Sequence, residues 1–207
     1  MHDPADNNRR TVQAYDAYAE RYAEVTKDGR TPTGSDGFDI FLARLPEGGR
    51  ILEVASGPGW DADMMEARGF HVRRTDVSEG FIVVQARRNR LVEKLDLIAD
   101  DLGGPYDGLV ALYVVQHIPR DQVADLLERI SHAIAPKGAF LFSFQIGEGE
   151  RIEKGESGDY HIVMWKREDM EALITRYGLQ IIWSRVDDDT EGRWVSLVAV
   201  HAKSQAT

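Results

Sequence analysis

A short apolar run followed directly by a glycine turn constrains the fold of this chain more than any other stretch. The run begins at Arg50 and ends in small residues, which is typical of a buried parallel strand. It leads into the tight turn Gly57-Pro58-Gly59, and the residues from Asp61 onward have a helix-forming composition. Strand, glycine turn and helix in this order place backbone N–H groups and a helix N-terminus at the carboxyl end of a strand. The stretch therefore predicts a ligand site in an α/β sheet.

Strand and helix patterns alternate along the rest of the chain, which indicates a parallel sheet flanked by helices. After the strand that begins at Arg50, strands are predicted at 71–76, 96–100, 106–113, 139–145, 179–186 and 193–202, with helices at 60–68, 78–95, 120–134 and 167–177. The last two strands are expected to form an antiparallel hairpin. All 207 residues are expected to belong to one domain.

Two segments outside this alternation are predicted to cover the ligand site. Residues 1–46 are interpreted as an N-terminal helical cap, in which Tyr15 and Tyr22 share one face of an amphipathic helix. The polar, glycine-containing interval 146–160 is predicted to be a lid loop, because long loops in compact domains are usually functional or mobile. The alternatives are a core-facing tyrosine stripe and a surface loop without a function.

The wider sequence resembles the class I S-adenosylmethionine-dependent methyltransferases. Their motif I, acidic-x-G-x-G-x-G, reads Glu53-Val54-Ala55-Ser56-Gly57-Pro58-Gly59 here, and Asp76-x-Ser78 is similar to their pattern after the second strand. Residues 106–119 resemble their fourth-strand motif, and residues 134–138 are similar to their L-x-P-G-G turn. The resemblance implies a doubly wound, mostly parallel, seven-stranded Rossmann-like sheet with a C-terminal antiparallel hairpin, and S-adenosyl-L-methionine as the cofactor.

The resemblance also implies roles for individual residues. It assigns to the cofactor site Glu53, Ala55, Gly57, Gly59, Asp76 and Leu112, with Asp100 or Asp101 at the adenine and Tyr15 and Tyr22 as an aromatic cap. Asp76 is expected to accept hydrogen bonds from both ribose hydroxyls, while Ser78 caps the following helix. Ala55 replaces the first glycine of the motif and is expected to keep an ordinary negative φ.

The residues after the fourth strand point to the chemistry of transfer. His117 is predicted to be a general base or an acceptor contact, with Tyr113 as the second catalytic candidate and a purely structural histidine as the alternative. The tetrapeptide Asn/Asp-Pro-Pro-aromatic is absent, since Leu112-Tyr113-Val114-Val115 stands there, and the aspartates that hold Mg²⁺ in catechol-type enzymes are missing. The sequence thus predicts metal-independent methyl transfer to an oxygen or nitrogen atom of a small-molecule acceptor.

Charge and hydropathy narrow the partners of the chain. The 25 basic and 35 acidic residues give a net charge of −10, so no nucleic-acid partner is expected. No apolar run reaches the roughly 20 residues that a membrane-spanning helix needs, and residues 1–6 lack the apolar region of a signal peptide. These features and the absence of cysteine predict a cytoplasmic protein without a membrane partner. The oligomeric state is left open.

Two other functions remain open from the sequence. Gly57-Pro58-Gly59-x-x-Ala62 followed by Asp76 also fits the fingerprint of a nicotinamide-dependent oxidoreductase. The long leader before the glycine turn disfavours that interpretation, because a dehydrogenase usually opens with its nucleotide-binding strand. Because Ala55 departs from motif I, a cofactor-binding module without catalytic activity is the other open function.

Overall fold

A computed structural model describes residues 4–27, 34–188 and 192–202. The helices are α1 (Pro4–Thr26), α2 (Gly34–Leu42), α3 (Trp60–Ala67), α4 (Glu79–Ala86), α5 (Val123–Ala133) and α6 (Arg167–Arg176). The strands are β1 (Arg50–Glu53), β2 (His71–Asp76), β3 (Glu93–Lys94), β4 (Tyr106–Ala111), β5 (Ile134–Gln145), β6 (Glu150–Lys154), β7 (Asp159–Val163), β8 (Leu179–Asp188) and β9 (Arg193–His201). Short 3₁₀ helices cover Val115–His117 and Arg120–Gln122.

Seven of these strands form one sheet in the order β3-β2-β1-β4-β5-β9-β8. The first five in chain order pair in parallel, whereas β9 runs antiparallel to both β5 and β8. The predicted fold class, a doubly wound and mostly parallel sheet with a C-terminal antiparallel hairpin, is confirmed. The strand order reverses between β1 and β4, and such a reversal opens a crevice at the carboxyl ends of the strands.

The apolar runs of the strands supply a core on each face of the sheet. Ile51 packs with one cluster and Leu52 with the other, because neighbouring side chains of a strand point to opposite faces. In β5, Phe140 and Phe142 belong to the cluster that holds Leu52, and Leu141 belongs to the cluster that holds Ile51. A sheet covered on both faces requires such continuous apolar strands.

The third strand lies earlier in the chain than predicted, and the helix before it is shorter. The predicted helix over 78–95 ends at Ala86, and β3 occupies Glu93–Lys94, so a strand at 96–100 is wrong. Aspartate side chains explain the difference. The Asp96 carboxylate accepts from the backbone N–H of Ile98 at 2.9 Å, and Asp100 accepts from the N–H of Asp96 at 2.8 Å. Such local bonds favour a turn over an extended strand.

The interval 146–160 is largely a β-hairpin rather than a loop. Strands β6 and β7 pair antiparallel, and the N–H of Gly155 donates to the carbonyl of Gly158 at 2.9 Å to close the turn. The hairpin packs on α1, where the N–H of His161 donates to Thr11 Oγ1 at 2.9 Å. The role of this hairpin as a lid stays a prediction.

The predicted N-terminal cap over residues 1–46 contains α1 and α2. Positions 1–3 and 28–33 of that interval lie outside the described residues, as do 189–191 in the C-terminal hairpin. Across the ranges that are described, none of the helices has the length and apolar character needed to cross a membrane.

Candidate active site

A cavity of about 770 Å³ opens at the carboxyl ends of β1, β2 and β4. Its wall is formed by the glycine turn after β1, the end of β2, the residues that follow β3 and β4, one face of α1, and Trp194 of β9. The volume lies in the range typical of small-molecule sites. The cavity therefore occupies the place where the strand order predicts a ligand crevice.

Asp76 lies at the end of β2 and ties that strand to the glycine turn. Its Oδ2 accepts from the N–H of Gly57 at 2.8 Å, and its Oδ1 accepts from the N–H of Ser78 at 2.8 Å. Ser78 is the N-cap of α4 and accepts from the N–H of Phe81, as predicted. Burial raises the pKa of Asp76 to about 6, although the backbone N–H groups favour its ionised form. Because Asp76 lies in the cavity wall, its carboxylate can accept a further hydrogen bond from a ligand.

The two glycines of the turn have different functions. Gly57 has a φ of 55° and lines the cavity, and a Cβ at this position would meet no atom within 4 Å. Gly59 has a φ of 81° and is not part of the cavity wall. A Cβ at Gly59 would collide with the side chain of Gln85 in α4. The predicted cofactor contact of Gly59 therefore has no support in the geometry, which assigns this glycine to close packing of the turn on α4.

Ala55 lines the cavity in a left-handed backbone conformation. Its φ is 51°, so the expectation of an ordinary negative φ is wrong. The chain must turn sharply between the end of β1 and Ser56, whose N–H donates to the carbonyl of Thr75 at 2.9 Å. A left-handed alanine is strained because its Cβ crowds the following carbonyl oxygen.

Glu53 and Asp61 add two more carboxyl groups to the same cavity wall. Glu53 is only 3% exposed and accepts a short hydrogen bond from the Ser56 hydroxyl. Burial, together with the nearby Asp61, raises the pKa of Glu53 to about 8. Burial also raises the pKa of Asp61 to about 7. Among the described residues, no lysine or arginine lines the cavity, so this part of the wall favours a cationic ligand.

Neither Asp100 nor Asp101 lies in the cavity wall, and the acidic residue that does so after β3 is Asp96. Both predicted residues are exposed, and each carboxylate accepts from a nearby backbone N–H. The acidic residue differs from the predicted one because the third strand was predicted too late in the chain. The strand ends two residues before Asp96. Asp96 is therefore the better candidate for the adenine contact.

Leu112 and Tyr113 line the cavity directly after β4, as expected for this motif. Tyr113 has a φ of 53°, and its N–H donates to the Ser143 hydroxyl of β5 at 2.8 Å. Its ring packs edge-on against Trp194, with the ring centroids 5.0 Å apart. A strained backbone at a cavity wall is common at functional sites.

His117 lies in the cavity wall and is held by three hydrogen bonds. Its Nδ1 lies 3.0 Å from the carbonyl oxygen of His161, so Nδ1 carries the proton and donates. Its Nε2 accepts from the Tyr15 hydroxyl at 3.0 Å and from the Gln116 amide at 3.2 Å. Burial lowers the pKa of His117 to about 4. His117 is therefore neutral at physiological pH, with its lone pair directed at Tyr15.

Tyr15 and Tyr22 both line the cavity from α1, at the positions expected of an aromatic cap. Their ring centroids lie 6.2 Å apart, and Tyr15 also packs on Tyr160 of the hairpin at 4.8 Å. Tyr22 packs on Phe81 of α4 at 5.5 Å. The hydrogen bond to His117 gives Tyr15 a polar function that its helical spacing did not indicate.

Besides Asp96, sequence reasoning missed three groups at this site. Asp61 stands two positions after the glycine turn, and its place at the start of α3 was the signal that could have identified it. Gln116 precedes the predicted base but was not singled out. Trp194 reaches the cavity from β9, and no local pattern marks it. The described ranges contain no group of three or more His, Cys, Asp or Glu side chains placed to hold a metal ion.

Comparison with known proteins is consistent with this geometry. A family model described as a methyltransferase domain matches residues 20–183. No curated protein sequence matches the chain. The 1,6-didemethyltoxoflavin-N1-methyltransferase of Burkholderia thailandensis, solved with 1,6-didemethyltoxoflavin and S-adenosylhomocysteine bound, has a TM-score of 0.74 and 16% identity, covering 98% of this chain and 92% of its own.

Two further solved structures have the same fold. The S-adenosylmethionine-dependent methyltransferase of Clostridium acetobutylicum has a TM-score of 0.70 and 13% identity, covering 91% of this chain and 99% of its own. The CcbJ methyltransferase of Streptomyces caelestis has a TM-score of 0.69 and 16% identity, covering 97% of this chain and 100% of its own. At these identities the likeness establishes the fold alone.

The conformation of Ala55 predicts the effect of a glycine at this position. Ala55→Gly should raise the free energy of unfolding by about 0.5–1 kcal/mol, because relief of the left-handed strain exceeds the added freedom of the unfolded chain. Urea denaturation measures the change. Ala62→Gly, in α3, is the matched control and should lower the free energy of unfolding by about 1 kcal/mol or more. A less stable Ala55→Gly protein would show that the methyl group packs productively.

The raised pKa of Glu53 predicts how stability depends on pH. Between pH 7 and pH 8 the native state keeps a proton on Glu53 that the unfolded state has released, so stability falls as pH rises. Glu53→Gln should remove roughly 1 kcal/mol of this fall, which urea denaturation of the ligand-free protein at both pH values can measure. Glu47→Gln, at an exposed position, should keep the wild-type slope. Equal slopes for Glu53→Gln and the wild type would contradict the raised pKa.

Proposed function

The chain belongs to the class I S-adenosylmethionine-dependent methyltransferases, and we propose that it transfers the methyl group to an oxygen or nitrogen atom of a small molecule. The observation that carries the proposal is the acidic wall beside the glycine turn. Glu53, Asp61 and Asp76 face a cavity that none of the described lysine or arginine residues lines. These carboxyl groups have no cationic side chain beside them in the described cavity wall. A cofactor with a sulfonium and an ammonium group would supply that positive charge.

The acidic residues of the cavity wall fit the ribose, the adenine and the cationic groups of this cofactor. Asp76 would accept from the ribose hydroxyls, beside the open backbone of Gly57. Asp96 would accept from the adenine amino group, while Glu53 and Asp61 would balance the charge of the methionine part. Leu112 and Tyr113 line the same cavity. These assignments use the same residue types that the sequence indicated, with Asp96 in place of Asp100 and Asp101.

Catalysis in this site depends on positioning and on a proton relay of two transfers. S-adenosylmethionine supplies a methyl carbon that its sulfonium has already activated, so the protein needs to align the acceptor and exclude water. An acceptor O–H or N–H gives its proton to the oxygen of Tyr15, which passes its own proton to Nε2 of His117. The resulting imidazolium keeps its Nδ1–H on the carbonyl of His161. This step requires a neutral His117 whose Nε2 lone pair accepts from the Tyr15 hydroxyl.

Two observations support a small-molecule acceptor. The net charge of −10 disfavours the binding of a nucleic acid. The Burkholderia enzyme of the same fold was solved with 1,6-didemethyltoxoflavin and S-adenosylhomocysteine bound.

The assignment of the cofactor predicts a selective binding result. S-adenosylhomocysteine should raise the melting temperature and NADH should not, because a ligand that binds only the native state stabilises it. Asp76→Ala should weaken S-adenosylhomocysteine binding at least about tenfold, as measured by isothermal titration calorimetry, because a charged acceptor is lost. Asp101→Ala, outside the cavity, is the control and should bind normally. Stabilisation by NADH alone would refute the assignment.

The pairing of Tyr15 with His117 predicts the pKa of the histidine. Tyr15→Phe keeps the ring but removes a hydrogen bond to the neutral imidazole, so the pKa of His117 should rise from its value of about 4. Nitrogen NMR of the imidazole measures the pKa and should show a proton on Nδ1. With any acceptor that is found, Tyr15→Phe should lower kcat/KM about 100-fold.

Tyr18→Phe is the matched control for this experiment, because Tyr18 lies on the same helix but not in the cavity wall. It should leave both the pKa of His117 and the value of kcat/KM unchanged. A proton on Nε2 of His117 in the unaltered protein, or full activity of Tyr15→Phe, would exclude Tyr15 from the proton transfer.

A further inference from the structure

The part of the cavity wall contributed by α1, the segment after β4, and β9 differs chemically from the part beside the glycine turn. Its aromatic members include Tyr15, Tyr113 and Trp194, and its amide and imidazole members include Gln116 and His117. We name these five residues the aromatic wall. It lies in the same cavity as the acidic residues Glu53, Asp61, Asp76 and Asp96.

The aromatic wall carries no formal charge. His117 is neutral because it is buried and its Nε2 already accepts two hydrogen bonds. Val12 of α1 lines the same region and adds an apolar surface. Every charged side chain that the described cavity wall contains is a carboxylate. An anion bound here would therefore meet neighbours of its own charge and no basic side chain among the described residues.

One polar atom of the aromatic wall has no internal partner. Gln116 is 4% exposed, and its Nε2 donates to the carbonyl of Tyr113 at 2.6 Å and to His117 at 3.2 Å. Its Oε1 is buried with no hydrogen-bond partner among the described residues. A buried carbonyl oxygen without a donor destabilises the protein, and a ligand N–H or O–H would satisfy it once the Gln116 side chain turns Oε1 toward the cavity. The Tyr15 hydroxyl, bonded to His117, is a second polar group in the same region.

We propose that the aromatic wall is the acceptor subsite and that it selects an uncharged aromatic or heteroaromatic molecule with an N–H or O–H at the atom to be methylated. This inference rests on the proposed function and specifies its substrate class. Flat rings pack favourably on the edges and faces of tyrosine and tryptophan. A carboxylate or phosphate would be desolvated without a counter-charge, which is unfavourable. A protonated amine must lose a proton before its nitrogen has a lone pair with which to attack the methyl carbon.

A matched pair of probes tests the charge selection directly. The probes are 6-hydroxy-2-naphthamide and 6-hydroxy-2-naphthoate, which share ring and shape but differ in charge. Isothermal titration calorimetry at pH 7.5 measures the affinity of each for the protein saturated with S-adenosylhomocysteine. We expect the amide to bind at least about tenfold more tightly than the carboxylate.

A charge substitution in the subsite supplies the second arm of the test. Val12→Arg places a cation in the cavity wall and should reduce the preference for the amide to about threefold or less, because the carboxylate gains a partner. Gln13→Arg adds the same charge at the next, exposed position of α1 and should keep the wild-type preference. The melting temperature of each variant shows whether it folds. If Val12→Arg does not fold, the preference of the unaltered protein for the amide over the carboxylate decides whether the subsite selects uncharged molecules.

The outcomes separate this inference from the proposed function. S-adenosylhomocysteine is titrated first, and failure of that binding would refute the methyltransferase site itself. If S-adenosylhomocysteine binds but the carboxylate binds as tightly as the amide, or neither probe binds, the aromatic wall is not a subsite for uncharged aromatic acceptors. An equal change in preference for Val12→Arg and Gln13→Arg would likewise contradict a local charge effect.

Discussion

The two hydrogen bonds accepted by Asp76 are the interaction on which the site depends. One comes from Gly57 in the turn after β1 and the other from Ser78 at the start of α4, so a single carboxylate joins two strand ends and a helix N-terminus. Gln85 of α4 also stabilises the turn, because its side-chain amide donates to the carbonyl of Gly57 at 2.9 Å. Because α4 approaches so closely, Gly59 has no room for a side chain. The ligand-facing backbone is therefore fixed by packing beneath it.

A second set of hydrogen bonds joins the cavity to elements that the central sheet does not contain. His117 donates to the carbonyl of His161 on the hairpin and accepts from the hydroxyl of Tyr15 on α1. The N–H of His161 in turn donates to Thr11 of α1. Three separate chain segments thus meet at one imidazole. The hairpin fixes which nitrogen of His117 carries the proton, so a segment outside the sheet decides the chemistry that His117 can perform. These hydrogen bonds connect α1 and the hairpin with the residues that follow β4.

Much of the sheet could be predicted because its signals are local. The continuous apolar runs at β1, β4 and β5 reflect burial on both faces, and Asp76 and Ser78 mark the end of β2 and the start of α4. The errors arose where local bonds compete with regular structure. Asp96 and Asp100 bond to nearby backbone and form a turn, which displaced β3 and with it the choice of the acidic residue in the cavity. Glycines at Gly155 and Gly158 suggested a loop, although they close a hairpin.

The sequence by itself determined the order of the strands along the chain and the residues that follow them, because periodicity and turn chemistry act over a few neighbouring residues. It therefore predicted that Glu53, Asp76, Leu112 and His117 would reach one edge of the sheet. Only the tertiary structure decided which side chains meet there. Tyr15 bonds to His117 across 102 positions, and Trp194 packs on Tyr113 from a strand near the end of the chain. The left-handed conformation of Ala55 is likewise a product of the fold, because alanine has no local preference for it and the surrounding packing imposes it.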